Sequence, residues 1–139
     1  MSLRGFIIFC CVCSVAAPAV AQAFRSVNRL IVVPVSSDTF EVIDDKRAGA
    51  QGMWCAGADY ARHAGLDGVR KRMYVVEPLG PSKTRANANA VTFTTNPDAE
   101  LADSPSSYSV SVKRRGDNYA IDHAYNFCLS LLEDIFDRF

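Results

Sequence analysis

Val27-Asn-Arg-Leu-Ile-Val-Val-Pro-Val35, the polar link Ser36-Ser37-Asp38 and the run Thr39-Phe-Glu-Val-Ile43 decide the fold. The first run is rich in β-branched residues, and such side chains sit well on a pleated surface. Pro34 puts its end at an edge or a bulge, because proline has no N–H to give to a ladder. Ser36-Ser37-Asp38 is turn chemistry, and the second run alternates. Together they read as a hairpin, so the sheet begins antiparallel.

Downstream the spacing turns helical from about Gln51 to Ala64, with Trp54, Cys55, Ala58 and Ala61 on one stripe and Asp59 and Arg62 off it. Asp44-Asp45 is the expected N-cap, and Gly65 followed by Asp67-Gly68 the expected stop. Glycine costs up to about 1 kcal/mol in a helix interior, so Gly49 and Gly52 are read as preceding the helix and Gly57 as a point of close packing. Arg72–Glu77 is a third strand ended by Pro78. Asn89–Thr95 is a fourth, after a polar loop from Gly80 to Ala88. Asn96–Ser107, with its prolines, acids and serines, reads as a mobile surface loop.

Tyr108-Ser-Val-Ser-Val112 alternates strictly and reads as a fifth strand with one wet face. A final helix from about Tyr119 to Phe136 carries Ile121, Tyr125, Cys128, Leu132 and Ile135 at steps of three and four, joined by Leu129 and Phe136. The order β-β-α-β-β-β-α argues for an α+β fold. The expected architecture is an antiparallel sheet of about five strands with two helices packed on one face.

The start of the chain bears on compartment. Arg4, the uncharged apolar run Phe6–Val15, Pro18 and the small-residue sites Ala19-Val-Ala21 and Ala21-Gln-Ala23 form a secretory pattern. The apolar run is shorter than the roughly 20 residues of a membrane span, so a cleavable signal over residues 1–21 (or to 23) is expected rather than a retained anchor. A single globular domain over residues 22–139 would follow. Without Arg4, the balance of 15 basic and 15 acidic residues becomes one net negative charge. Nucleic-acid binding, which needs a broad positive field, is not expected.

Removal of the signal leaves Cys55 and Cys128 from five cysteines. In an oxidising compartment an even pair reads as a disulfide. Each lies on the apolar stripe of its own helix, and a loop this long can yield up to ~4.5 kcal/mol. Trp54 is expected in the core beside the bridge.

Trp54-Cys55, near a helix start after a Gly-containing lead-in, resembles the nucleophile helix of papain-like and cell-wall thiol hydrolases. That resemblance implies Cys55 as nucleophile with His123 as base, since His63 lies eight residues along the same helix, about 12 Å of rise. The Gly-Gln-Cys or Asp-Cys-Ser-Gly signatures of those families are missing, and His123 falls on a helix rather than a strand.

Two basic triplets, Arg70-Lys71-Arg72 and Lys113-Arg114-Arg115, flank expected strand ends and could form an anion patch. Ser82-Lys83-Thr84-Arg85 has phosphate-friendly residue types without P-loop spacing and reads as a hydrated loop. No metal or other cofactor is expected: His63 and His123 have no ligand-spaced companions, and Asp98, Glu100 and Asp103 lack the calcium-loop order. Glu133-Asp134 reads as a solvated helix face.

Gly52-Met-Trp-Cys-Ala-Gly-Ala-Asp-Tyr-Ala61, Met73-Tyr-Val-Val76 and Gly80-Pro-Ser82 resemble small uncharacterised secreted proteins of alphaproteobacterial type. The resemblance spans about the middle third of the chain and implies a bacterial periplasm but no activity. The leading expectation is a periplasmic or secreted, non-enzymatic domain that binds an envelope protein or an acidic glycan. A thiol hydrolase and an anion-binding module are the alternatives.

Overall fold

The computed structural model describes residues 22–137, so the expected signal at residues 1–21 lies outside the described residues. The chain forms β1 (Phe24–Arg25), β2 (Ile31–Pro34), β3 (Thr39–Ile43), α1 (Gly49–His63), β4 (Arg72–Pro81), β5 (Asn89–Thr94), α2 (Ala99–Ala102), β6 (Asn118–Ala120) and α3 (Ile121–Phe136). The fold is α+β, built on a six-stranded sheet in the order β1-β2-β3-β5-β4-β6, with every pair antiparallel. The hairpin expected at the start is present as β2 and β3, with Val32 opposite Val42.

β3 and β4 both run antiparallel to β5 and are therefore parallel to each other. Parallel strands need a crossover, and α1 supplies it, lying against the sheet. Alternation along the strands sends Phe40, Val42, Met73, Val75, Val91 and Phe93 into the core with Trp54 and Tyr60 of α1. Phe40 meets Tyr60 at 4.7 Å between centroids, and Phe93 meets Trp54 at the same distance. Gly57 is the point of close approach: a Cβ there would sit 3.0 Å from the Met73 sulfur and 3.3 Å from the Phe93 ring.

The expected four-residue stripe of α1 is too narrow. Every residue from Gly52 to Ala58 is buried, because the sheet takes one side of the helix and α3 packs along another. A helix apolar all round is a buried helix. The Cys55–Cys128 disulfide joins the two helices with a Cα–Cα distance of 4.9 Å across a sequence separation of 73. Arg62 lies over the Tyr125 ring at 3.9 Å.

Several boundaries depart from the sequence reading. Asp44 and Asp45 do not cap α1. Asp44 Oδ1 accepts from Lys46 N, and Asp45 Oδ1 accepts from Arg47 N and Ala48 N. The N-cap is Ala48, with no side-chain hydrogen bond, and the helix includes Gly49 and Gly52. Gly52 is held in place by Asn28, whose Nδ2 donates to its carbonyl at 2.7 Å.

Pro78 does not end β4, which continues to Pro81 through register shifts between Val75 and Glu77 and between Glu77 and Gly80. β6 pairs only with Arg72–Tyr74, so Pro78 sits where no donor to that neighbour is required. Asn96–Ser107 is not a plain loop: it contains α2, capped by Asp98 accepting from Leu101 N at 2.8 Å, with Leu101 buried. α3 begins at Ile121 because Tyr119 belongs to β6, and Leu129 and Phe136 face solvent rather than the helix interface. The Ile135 side chain lies outside what is described.

The largest correction concerns Tyr108–Val112, which is not a strand. The edge beside β4 is held by β6, where Val75 N donates to Asp117 O and Gly116 N to Val75 O. Asn118 locks that register by accepting from Arg72 Nε and donating to the carbonyls of Pro105 and Gly116. Val112 still turns inward and accepts from Leu79 N, whereas Tyr108 is fully exposed. Alternation is sound for two of three apolar residues, but the β4 stretch they lie beside carries Pro78 and two register shifts and supports no regular ladder there.

Candidate functional site

The strongest chemical candidate, Cys55, is fully buried and its sulfur is bonded to Cys128, itself 1% exposed. Trp54, also fully buried, donates from Nε1 to Ser111 O at 2.9 Å and meets Tyr119 edge-on. His123 lies on the exposed side of α3, stacked on Tyr119 at 5.3 Å with Phe127 at its edge. His63 stacks on Phe24 at 4.6 Å. A nucleophile needs a free thiolate in reach of its base. Here the sulfur is committed and enclosed while the imidazole faces water.

The two basic triplets flank different stretches of β4. Arg70-Lys71-Arg72 precedes its first paired residues, and Arg115 reaches its middle, where Nη1 donates to Val76 O. Arg72 and Val76 lie four residue steps apart along the strand, about 13 Å. Three of the six cations have protein partners: Arg72 on Asn118, Arg114 on Asp117 at 3.1 Å and Arg115 on Asp98 at 3.3 Å. Arg70, Lys71 and Lys113 are exposed.

Ser82–Arg85 is the surface loop expected, with Lys83, Thr84 and Arg85 exposed, and it has an inner side. It folds over the sheet face opposite α1 and cradles the Glu41 carboxylate, which is 2% exposed. Ser82 Oγ and Lys83 N each donate to Glu41 at 2.8 Å, Thr84 N donates at 3.1 Å, and Thr84 Oγ1 completes the set. Burial on its own would raise the Glu41 pKa. The combined donors from Thr84, Lys83 and Ser82 outweigh it, so the carboxyl is held below its ordinary value. The loop is an anion cradle whose anion comes from the same chain. A lone acid inside the apolar run Thr39–Ile43 was the available signal.

The second buried carboxylate is Asp117, at 5% exposure. Its Oδ1 accepts from Ser107 Oγ at 3.3 Å and from Arg114 Nη2. Its Oδ2 has no partner among the described residues. A buried polar atom left so costs about 1–3 kcal/mol, more when charged. Burial chiefly, and the Asp117 charge secondarily, raise the Tyr119 pKa.

Two clefts border this segment. One, of about 460 Å³, opens at the start of α1, with Met53, Leu79, Val110 and Val112 as an apolar floor and Lys46 and Lys113 at its rim. The other, of about 360 Å³, lies among Ser104–Ser109 and Arg114–Asp117. Neither is legible in the sequence, because both depend on the irregular path of residues 104–117. No group of three or more metal-ligating side chains occurs among the described residues. Among the same residues no helix is long and apolar enough to cross a membrane. Set against known protein families, curated proteins and solved structures, the chain matches none.

Proposed function

We propose that the chain is exported by the leader at residues 1–21 and works in the periplasm or outside the cell as a non-enzymatic binding domain for an envelope component. The observation that carries this reading is the buried Cys55–Cys128 bridge. Such bonds persist in oxidising compartments and are rare in reducing ones. The same bridge removes the one nucleophile that the thiol-hydrolase reading requires. Binding is supported by the two clefts along Ser104–Asp117, whose walls mix apolar floor, hydroxyls and arginines. That lining suits recognition of a polar partner with some apolar surface.

Intact mass of the unreduced protein, recovered after expression in a host with an oxidising envelope, tests the reading. The expected species begins at Gln22 or Phe24, lacks two hydrogens and takes up no iodoacetamide before reduction. A product that keeps residues 1–21 and alkylates rapidly at Cys55 overturns it.

A further inference from the structure

We infer that the cleft between Ser104–Ser109 and Arg114–Asp117 is a saccharide site, with Asp117 as its acceptor, Arg114 and Arg115 as donors and Tyr108 as a stacking platform. The inference rests on the binding-domain reading above and supplies its ligand class. Three features meet in this cleft.

The first is the unpartnered Asp117 Oδ2. Buried acceptors are normally satisfied, and an exception calls for a physical explanation such as a missing partner. The other oxygen of that carboxylate accepts from Arg114, whose own side chain is 70% exposed. A rotamer change at Arg114, of the kind common on binding, opens it to a ligand hydroxyl. The second feature is charge. Arg114 is balanced by Asp117 and Arg115 by Asp98, so the cleft offers donors and acceptors side by side without a net field. A simple anion or cation gains little there. A ring with neighbouring hydroxyls, each both donor and acceptor, matches it.

The third feature is Tyr108, fully exposed on the lining of the cleft. An aromatic ring free of intramolecular contacts contributes nothing evident to the core, but its face can take the C–H side of a sugar ring. Ser104 and Ser107 add hydroxyls at the same wall. Glu41 provides the contrast: its cradle is fully occupied and has nothing left to offer a ligand.

The test is amide NMR of the purified, oxidised protein with three probes: chitotetraose, cellotetraose and tetragalacturonate. Each is taken to about 10 mM, enough to saturate millimolar binding. At least one is expected to shift the amides of residues 104–117. Asp117→Asn and Tyr108→Ala should each weaken that binding about tenfold or more. Tyr108→Ala, which removes an exposed ring, keeps the test decisive if Asp117→Asn folds poorly. No shift with any probe overturns the inference, as does full affinity in both variants or displacement by inorganic phosphate. Shifts confined to the α1 cleft around Lys46 and Met53 also overturn it while leaving a binding domain intact. Free thiols in the exported protein would instead remove the broader reading, whatever the sugars do.

Discussion

The protein buries two carboxylates on opposite terms. Glu41 receives donors from two backbone N–H groups and two hydroxyls, whereas Asp117 leaves one oxygen without a partner. The Ser82–Arg85 loop is short and wrapped around its anion. The Ser104–Asp117 segment is longer, irregular and bordered by clefts. A satisfied buried charge fixes structure, and an unsatisfied one has an interaction in reserve. The contrast separates a part of the molecule that holds the fold from a part open to a partner.

The sharpest way to break this comparison is Glu41→Gln. The amide would turn a donor toward the Ser82–Thr84 donors, and chemical denaturation should show a loss of about 3 kcal/mol. If the loss were no larger than for Asp117→Asn, the two carboxylates would not differ as described. Acid gives a second reading of the same site. The folded pKa of Glu41 lies below its ordinary value of 4.5. Its stabilisation is therefore fully present above that value and lost as pH falls through the lower, folded one. Denaturation midpoints of the wild type should fall across that acid window, and the fall should be shallower in Glu41→Gln.

A smaller effect is expected from Thr84→Val, which deletes one hydroxyl donor but leaves the backbone donors, costing about 1–1.5 kcal/mol by the same measurement. Asp117→Asn should stay within about 1 kcal/mol of the wild type, because it removes an incompletely compensated buried charge. It should also lower the Tyr119 pKa, read by phenolate absorbance, since the Asp117 charge helps to raise it. Unchanged Tyr119 titration would mean that the two side chains are not coupled as described. Tyr108→Ala is the smallest: an exposed ring should change stability by under about 0.5 kcal/mol.

The parts legible in the sequence were those governed by local pattern. The β2–β3 hairpin, the two long helices and the Cys55–Cys128 pair follow from alternation, helical spacing and the presence of just two cysteines beyond residue 21. Gly57 was read as a packing point and sits 3.0 Å from the Met73 sulfur when given a Cβ. What failed depended on distant partners. Tyr108–Val112 has the alternation of a strand, yet Asn118–Ala120 holds the regular part of the β4 edge and the part left beside Leu79 is bulged. The inner role of the exposed Ser82–Arg85 loop was hidden because its anion lies 41 residues away at Glu41. Asp117 had no signal of its own: its burial comes from how Ser107 and Arg114 fold over it.

The tie between α1 and α3 also dictates an order of events. Cys128 follows Cys55 by 73 positions, so Cys55 must wait as a thiol until β4, β5, α2 and β6 have all been made. Within residues 22–139 no other cysteine competes for it, so in a chain shortened as proposed the one wrong partner lies on a second molecule, and maturation errors should scale with crowding and need no isomerase to sort them.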